Sequence, residues 1–411
     1  MITLVIAHSK IHLTNHKSLR FMKTIIPTLI SFIVLSLADS CMVSANTPLD
    51  TNFPEIKIYI SKSLYSNLQN NNSDKVVLLN PVMMVNGDTA LVKEIHARGN
   101  NSLKFKRKSL SIELDKAITL EVENKKVHLK KFNLLNLVMD KHLWHNRWSD
   151  LNMERIGIFP LFNSYCKVWI NDQPQGIFLL VEKPQQAKSK LKSPYMLRRG
   201  ANHTISDEYF DDEDKDSAKK YKKQFQSIYS GINTLSSDAL AKQLQQIINI
   251  DNYFQFLGFN YLVMNGDYAD EVFLYIEPKN QWFEVIPWDY DDILRPVPHE
   301  GRTLRNKEFT DKKIFSLEES LDRAIAGNEE LYAGYEKALK KLLLSLDSTA
   351  LTQSAHQVIS ELEQISADKS MAEATLFLDL NPFDILMAKN DVLFSLDFIL
   401  KRRKWILEEL K

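Results

Sequence analysis

Cysteine is scarce in this chain, and neither sign of charge is in excess. Only two of the 411 residues are cysteine, and no cysteine pair or histidine-rich segment has zinc-site spacing, so a disulfide scaffold and a structural zinc module are excluded. Lysine and arginine together number 52, as do aspartate and glutamate, which gives a net charge of zero. A balanced chain lacks the basic footprint that nucleic acid or an anionic membrane requires, so we expect neither as a partner.

Apolar sequence, by contrast, is plentiful enough for a large core. Hydrophobic residues make up 44% of the chain. A chain of this length supports roughly two or three domains or one large bilobal unit. With no global charge signal, partners have to be inferred from local sites.

Residues 22–45 have the composition of a secretory signal peptide. A short basic start is followed by an apolar run over 25–38 and by Val43-Ser44-Ala45, a small-residue cleavage signal. Residues 1–21 precede it with a mixed, basic composition, which indicates an over-extended reading frame. An uncleaved anchor and lipid attachment at Cys41 are the alternatives, but the apolar run is short for a membrane span. We therefore expect an exported protein, periplasmic, cell-surface or secreted, with no stable membrane span after cleavage.

The first half of the mature chain, residues 46–185, has the pattern of strands. Asn86-Gly87 is the strongest hairpin signal within it, and Cys166 is expected to pack in a strand rather than react. One helix is predicted at 141–156, with Gly157 as its stop. The predicted strands are short apolar or alternating segments between turn residues, at 56–60, 75–79, 82–85, 90–95, 109–114, 166–170 and 176–180.

The second half, residues 186–411, is predicted to be mostly helical. A segment rich in acid and then base, 207–223, is interpreted as a solvated, mobile insertion or linker. Strands followed by helices indicate an α+β fold with a bilobal architecture. The predicted helices are 235–257, 317–326, 329–346, 351–365 and 391–410.

Two acidic clusters flank a pair of apolar runs between residues 265 and 292. The runs 273–276 and 282–286 are rich in aromatic and β-branched residues with turn formers between them, which predicts a hairpin. Its paired strands, about 5 Å apart, bring together at the open end Asp267, Asp270, Glu271, Asp289, Asp291 and Asp292. Such carboxylates either stay partly protonated or share a hard cation such as Mg²⁺. Two solvated surface clusters are the alternative, although the apolar strands and Trp288 favour a cleft.

Four segments of the chain together resemble the CotH kinase family of atypical protein kinases. In order they are Arg98-Gly99-Asn100-Asn101-Ser102 with Arg107-Lys108-Ser109-Leu110, then Ile170 to Glu182, Asn265-Gly266-Asp267 through Tyr275, and Ile286-Pro287-Trp288-Asp289-Tyr290-Asp291. Each segment alone is weakly specific, whereas four in this order over residues 55–300 are fairly specific.

The resemblance implies a bilobal atypical protein-kinase-like fold, with a strand-rich N-terminal lobe and a helical C-terminal lobe, that uses ATP and Mg²⁺ or Mn²⁺. It assigns the nucleotide to Arg98, Gly99, Asn100, Ser102, Lys108 and Glu182, with Lys108 on the phosphates and Glu182 beside that lysine or the base. It makes Asp289 a metal ligand assisted by Asp291, and Asp267 the base that accepts the substrate's hydroxyl proton. The residues alone allow a simpler interpretation of each segment almost equally well. The cations around Lys108 fit a surface hairpin, and Glu182 fits an exposed strand end.

Two positions depart from the family's pattern. The family usually has a metal-binding asparagine five residues after the catalytic aspartate, where this chain has Val272. An alignment on the following strand instead places Glu271 there, which we prefer because a one-residue slip turns every strand side chain to the other face. Glutamate can bind Mg²⁺ or Mn²⁺, so Glu271 is a predicted metal ligand. His145 stands where the family has an arginine.

The sequence thus leads to one function and two rivals. The first hypothesis is an exported, metal-dependent protein kinase that transfers the ATP γ-phosphoryl group to Ser or Thr of an extracytoplasmic protein. The main alternative is a kinase-like binding module at the cell surface or in the periplasm that has lost catalysis. A metal-dependent hydrolase is weaker, because neither acidic cluster contains a histidine.

Overall fold

The computed structural model describes residues 52–73, 75–122, 125–299, 309–377 and 381–411, and Asp50–Lys411 form one compact unit. The segments predicted as an upstream extension and a signal peptide, 1–21 and 22–45, lie outside the described residues.

Within the described part, strands dominate the first half and helices the second, so the α+β prediction is confirmed. The division into two kinase-like lobes at residue 185 stays a prediction. Among the described helices none is long and apolar enough to cross a bilayer.

The described strands form two sheets, and the helices follow mainly in the second half. The strands are β1 (Glu55–Tyr59), β2 (Val82–Val85), β3 (Asp88–Ala90), β4 (Val92–Arg98), β5 (Ser109–Val122), β6 (Lys125–Leu135), β7 (Asn163–Ile170), β8 (Gln173–Glu182), β9 (Met196–Arg199), β10 (Ile205–Tyr209), β11 (Val272–Ile276) and β12 (Phe283–Pro287). The helices are α1 (Lys62–Asn70), α2 (His145–Arg155), α3 (Pro184–Lys190), α4 (Lys215–Thr234), α5 (Ser237–Ile247), α6 (Ile250–Val263), α7 (Ser320–Gly327), α8 (Glu329–Ser345), α9 (Ser348–Ser366), α10 (Lys369–Ala374) and α11 (Ile385–Glu409).

The first sheet has the order β3-β2-β1-β7-β8-β6-β5-β4, and its pairs are antiparallel except β1 with β7. The predicted hairpin at Asn86-Gly87 joins β2 to β3. Both turn residues have positive φ, 52° and 90°, as a type I′ turn requires, and this is why Asn-Gly is favoured there. Cys166 is fully buried in β7, as expected for a packed residue.

Side-chain alternation along β8 explains how the sheet is buried on two faces. Phe178 and Leu180 pack into an apolar core with the other strands of this sheet. Leu179 and Val181 point the other way, into a larger core shared with the helices. Because successive strand residues face opposite sides, a strand buried on both faces has a continuous apolar sequence. The run that ends at Glu182 is such a strand.

The second sheet, β10-β9-β11-β12, is antiparallel and contains the predicted acidic hairpin. Val272 lies opposite Pro287, and Ile276 lies opposite Phe283. All five residues of β11 are buried. The strand prediction for 273–276 and 282–286 is therefore confirmed.

The predicted helix at 141–156 is also confirmed, with a refinement at its start. A 3₁₀ turn at Lys141–Leu143 precedes α2. Trp144 and Trp148 are buried, with ring centroids 6.0 Å apart, so this aromatic pair belongs to the core. Gly157 has φ of +80°, the left-handed conformation that ends the helix.

Two sequence interpretations are corrected by the structure. Residues 75–79 do not form a strand, since Val77 makes only an isolated bridge with His96. The charged segment 207–223 is not a linker, because it contains the end of β10 and the first half of α4. Its charges cover the outer face of α4, while Ala218 and Tyr221 are buried in the larger core. Composition concealed an amphipathic helix with one apolar stripe.

Candidate functional site

The open end of the β11–β12 hairpin brings the two acidic loops together. The backbone N–H of Trp288 donates to the carbonyl of Glu271 at 3.0 Å, which extends the ladder by one pair beyond Val272 and Pro287. The N–H of Gly266 donates to the carbonyl of Asp292 at 2.9 Å, which ties the first loop to the second. The predicted convergence of the loops is thus present in the structure.

Four carboxylates at this end carry raised pKa values. Burial, with a contribution from the negative charge of Asp289, raises the pKa of Glu271 to about 8. Burial also raises the pKa of Asp289, against the opposing effect of nearby Arg98 and Arg198. The pKa of Asp291 lies well above its usual range because of burial and the charge of Asp289. Negative charges in one partly desolvated place favour protonation or a bound cation.

Asp267 is the most exposed of the four. Partial burial and the negative charge of Asp270 raise its pKa, and its backbone N–H donates to Oδ1 of Asn265 at 3.1 Å. Within the described chain, the carboxylates of Asp267, Asp289 and Asp291 make no side-chain hydrogen bond or ion pair, so their oxygens are available to a ligand. Glu271 differs, because Nη2 of Arg198 donates to it at 2.8 Å.

Arg98 faces the acidic loops from the first sheet. It is the last residue of β4, and since Ala97 packs into the sheet's own core, Arg98 turns to the opposite face. Its guanidinium carbon lies 6.0 Å from the ring centre of Trp288. Burial lowers the pKa of Arg98, while Asp289 and Glu271 oppose that change. A permanent cation therefore stands beside the buried acids.

The turn after Arg98 requires glycine. Gly99 has φ of +99°, and a Cβ at that position would lie 1.9 Å from Oγ of Ser102. That hydroxyl donates to the carbonyl of Arg98 at 3.0 Å, which closes the turn. Asn100 is exposed at its tip. Arg98, Gly99, Asn100 and Ser102 thus share one tight turn at the end of β4, as the sequence predicted.

The start of α2 holds the second acidic loop in place. Asp140 is fully buried and accepts hydrogen bonds from the N–H groups of His145 and Asn146, each at 3.0 Å. Nδ1 of His145 donates to the carbonyl of Asp291 at 3.0 Å, and because a carbonyl only accepts, this nitrogen carries the proton. Oδ1 of Asn146 accepts the N–H of Tyr290 at 2.8 Å. The start of α2 therefore holds the backbone of the two residues that follow Asp289.

Lys108 and Glu182 do not pair with each other. The ammonium of Lys108 is buried and donates to the carbonyl of Leu103 at 2.5 Å and to Oδ1 of Asn72 at 3.2 Å. Glu182 is not an exposed strand end, since it is 1% exposed and its Oε2 accepts from Nζ of Lys190 at 2.8 Å. Of the three alternatives for Glu182, burial thus excludes the exposed strand end, and the pairing with Lys108 is not formed because each side chain has other partners. The nucleotide roles of both residues stay predictions.

A cavity of about 1490 Å³ lies beside Glu182. Arg147, Glu182, Lys188 and Tyr209 line it. The ring of Tyr209 lies 6.3 Å from that of Phe273, whose ring is 5.7 Å from that of Trp288. Ring contacts thus lead from this cavity to Trp288, the residue before Asp289, whereas Asp289 does not itself line the cavity.

Sequence reasoning missed three residues that shape the site. Arg198 pairs with Glu271 and places its guanidinium 5.9 Å from the ring centre of Phe273. Asp140 and Asn146 hold the second loop as described above. Only the Arg198-Arg199 pair after a short apolar run could have drawn attention, because the other two are ordinary polar residues at a helix start.

The donor set suits a hard cation only in part. Among the described residues, no group of three His, Cys, Asp or Glu side chains is placed to hold a metal ion by itself. Mg²⁺ commonly uses one or two carboxylates and completes its shell with water and substrate phosphates. The available oxygens of Asp289 and Asp291 meet that lesser requirement, whereas Glu271 has to leave Arg198 first.

Comparison with known proteins gives two matches. The sequence model of the family described as CotH kinase protein matches residues 95–406. The chain is 24% identical over 284 residues to the inner spore coat protein H of Bacillus subtilis (strain 168), an alignment that covers 65% of this chain and 75% of that protein. The matched range includes the turn at Gly99, both acidic loops and every helix from α2 onward except the last residues of α11.

Proposed function

The chain belongs to the CotH kinase protein family, and we propose that it transfers the γ-phosphoryl group of ATP to a serine or threonine of a protein outside the cytoplasm. The observation that carries this proposal is the group of available, pKa-raised carboxylates at the hairpin end with Arg98 facing them. Phosphoryl transfer relies on positioning and on compensation of phosphate charge, and opposed cations and carboxylates supply both.

Asp267 is the proposed base. It is the most exposed acid of the site and makes no side-chain hydrogen bond within the described chain, so it can meet a hydroxyl on a protein substrate. In the transfer, the hydroxyl oxygen forms a bond to the γ-phosphorus, the bond from that phosphorus to the β–γ bridging oxygen breaks, and ADP leaves. The hydroxyl proton passes to Asp267.

Asp289 and Asp291 are the residues proposed to hold Mg²⁺ or Mn²⁺. When bound, the ion supplies positive charge that neutralises the phosphate oxygens and fixes their position. Asp289 is suited to this role because Asn146 and His145 hold the backbone of the two residues after it. The residue before it is held by the hydrogen bond from its N–H to the carbonyl of Glu271. Glu271 becomes a third carboxylate ligand of the ion if it breaks its ion pair with Arg198. Metal binding is the role that the sequence predicts for Glu271.

Arg98, Gly99, Asn100 and Ser102 are proposed to contact the phosphates. Asn100 is exposed at the tip of the tight turn, and the guanidinium of Arg98 is a permanent, planar donor beside Trp288. The cavity beside Glu182 is lined by Tyr209, whose ring contacts lead through Phe273 to Trp288, and it is large enough for a nucleotide base. We place the base there, with its phosphates directed toward Asp289.

The acceptor is proposed to be a structural protein of an outer layer. The similar Bacillus protein is named as an inner spore coat protein, and residues 22–45 have the composition of an export signal. Both observations favour a substrate outside the cytoplasm, with the protein exported to the periplasm, the surface or the medium.

A kinase-like binding module without catalysis is the second candidate. It is favoured by the Arg198–Glu271 ion pair and by Val272 at the position of a usual metal ligand. A residue that binds a neighbouring arginine is less available to a metal. The two candidates share the fold and differ in whether phosphate moves.

Labelled ATP separates the two candidates. The purified protein is incubated with γ-labelled ATP and Mg²⁺ or Mn²⁺, and nucleotide binding is measured in parallel as a shift of the unfolding midpoint. Asp267→Ala should keep the shift and lower labelling about 10²- to 10⁴-fold, since a base adds little to ATP affinity. Asp289→Ala should lose both.

The matched control is Asp216→Ala, which removes a carboxylate that is 96% exposed on α4 and should change neither measurement. Binding without labelling by any metal would establish the module without catalysis. Absence of any ATP-dependent shift would overturn the kinase proposal altogether.

A further inference from the structure

The C-terminal helix α11 presents an unusually apolar outer face. Six of its large apolar side chains are at least 40% exposed, and Phe394 reaches 76%. They are Leu386, Met387, Leu393, Phe394, Phe398 and Trp405. The opposite face of the helix is buried through residues that include Val392, Leu396 and Ile399. The fold therefore already uses one face of α11, and within the described residues nothing covers the second apolar face.

The central stripe of this outer face reads the same in both directions. Met387, Phe394, Phe398 and Trp405 follow one another at intervals of seven, four and seven residues. At 3.6 residues per turn these four side chains lie within about 40° of one another around the helix. Repeats of eleven residues, as from Met387 to Phe398, keep a stripe on one side of a nearly straight helix. A palindromic stripe matches itself when two such helices run antiparallel.

The area of the face is sufficient for association. With roughly 200 Å² for a fully exposed large side chain, the six exposed fractions amount to about 600 Å². Monomeric proteins seldom expose more than about 300 to 600 Å² in one apolar patch. Two copies of the four-residue stripe bury about 900 Å², and the flanking Leu386 and Leu393 raise this to about 1,200 Å² at most, which is the lower end of specific protein interfaces.

The charges around the stripe favour a like surface over an anionic membrane. On the exposed side, Lys401 pairs with Asp397 at 2.5 Å within the same helix. Lys389 turns away from this face and pairs with Glu363 of α9 at 2.8 Å. The other exposed charges near the stripe are Lys404 against Glu408 and Glu409, which leaves no excess of cations. Arg402 and Arg403 turn inward to backbone carbonyls of α6 and of the end of α8. Helices that bind anionic membranes present an excess of Lys and Arg on their polar face, which this face lacks.

We propose that this face of α11 joins a second copy of the chain about a two-fold axis, with the two α11 helices antiparallel. The axis passes near residue 396, so Phe394 lies opposite the partner's Phe398 and Met387 lies opposite the partner's Trp405. Each apolar residue of the stripe then meets another, as a two-fold interface requires. This interface involves no residue of the acidic site and does not depend on the proposed kinase activity.

Sedimentation and light scattering of the purified protein test the interface. The mass at micromolar concentration should be twice that of one chain. Phe394→Asp and Phe398→Asp should each give the mass of one chain, with far-UV circular dichroism and unfolding midpoint of the folded monomer retained, because both side chains are exposed. Leu344→Asp is the matched control, since Leu344 is an exposed leucine of α8 outside this face, and it should leave the dimer intact.

Cross-linking tests the antiparallel register. In a Cys41→Ser background the buried Cys166 does not react readily, so a new surface cysteine reports its own distance to the partner. Asp397→Cys places a thiol close to the axis at the flank of the stripe, and a short bifunctional thiol reagent should link it to its copy in the partner. Glu409→Cys should not be linked, because two copies of position 409 are about 40 Å apart along the helices at 1.5 Å per residue.

Several outcomes would overturn the inference. A wild-type protein that stays monomeric at tens of micromolar would do so, as would a dimer unaffected by Phe394→Asp. Equal cross-linking at positions 397 and 409 would exclude the antiparallel register. Wild-type protein that remains monomeric and floats with vesicles of zwitterionic and anionic phospholipid would assign the face to a membrane surface instead.

Discussion

The buried ion pair between Arg147 and Glu361 gives the most quantitative prediction. Arg147 on α2 donates through Nε and Nη2 to the two carboxylate oxygens of Glu361 on α9, at 2.8 and 2.7 Å. The exposed fractions of the two side chains are 4% and 3%. Nη1 of Arg147 also donates to Oδ1 of Asn163 on β7 at 2.8 Å. One side chain therefore joins a strand and two helices.

Arg147→Met should lower the free energy of unfolding by about 3 to 5 kcal/mol, because it leaves the charge of Glu361 buried without its cation. Arg147→Met with Glu361→Leu should recover most of that loss, since neither charge of the pair remains. The measurement is urea unfolding monitored by circular dichroism. The wild type, the two single variants and the double variant are fitted with one common dependence of the unfolding free energy on urea concentration. The exposed pair Lys401–Asp397 is the control, and Lys401→Met should cost less than about 1 kcal/mol.

Two results would refute this reasoning. If Arg147→Met costs less than about 1 kcal/mol, the pair is not as desolvated as its burial indicates. If the double variant is as unstable as Arg147→Met alone, the loss comes from the shape of the arginine side chain or its bond to Asn163, and not from the unpaired glutamate. A loss of about 4 kcal/mol of unfolding free energy in Arg147→Met, with recovery in the double variant, would show that the buried ion pair stabilises the packing of α2 against α9.

Three further predictions test other parts of the molecule. Gly99→Ala should abolish the ATP-dependent shift of the unfolding midpoint, because the added Cβ would collide with the side chain of Ser102. Gly87→Ala is the control: Gly87 has a similar positive φ, but a Cβ there would meet nothing within 4 Å, so this variant should lose stability and keep the shift. Loss of the shift in both variants would contradict this reasoning. Burial raises the pKa of Asp322 to about 7, so the unfolded chain releases this proton at lower pH than the folded chain. The free energy of unfolding should therefore fall as pH rises from about 4 to 7. When this free energy is measured across that pH range, Asp322→Asn should show a smaller fall than the wild type. Lys108→Met should lower the unfolding midpoint and keep the ATP-dependent shift, because the ammonium of Lys108 donates to the carbonyl of Leu103. Loss of the shift with an unchanged midpoint would instead support the phosphate-binding role predicted from the sequence.

The sequence by itself determined the features that depend on neighbours along the chain. The runs around Phe273 and Ile286 are rich in β-branched and aromatic residues with turn formers between them, so they pair as a hairpin. Once they pair, Glu271 and Asp289 must lie at the same end. Asn86-Gly87 fixed a hairpin for the same local reason, since few residues accept two successive positive φ angles.

Only the tertiary structure decided which distant groups meet these local features. Arg98 lies about 190 positions before Asp289 in the sequence, and its approach depends on the order of strands in the first sheet. Periodicity shows which face of β4 is apolar, but it does not show what covers the other face. The same limit concealed the pairing of Glu271 with Arg198 and the partners of Lys108 and Glu182.

The charged segment 207–223 shows the opposite limit. Its composition is that of a solvated linker, yet Tyr221 and Ala218 are spaced to bury one side of α4. A helix with a single narrow apolar stripe gains most of its stability from packing, and packing requires the surface that covers the stripe. Here that surface is the larger core, which residues far along the chain assemble. Local sequence thus set the strands, turns and acids, whereas long-range packing set the opposing cations, the supporting helix and the order of this segment.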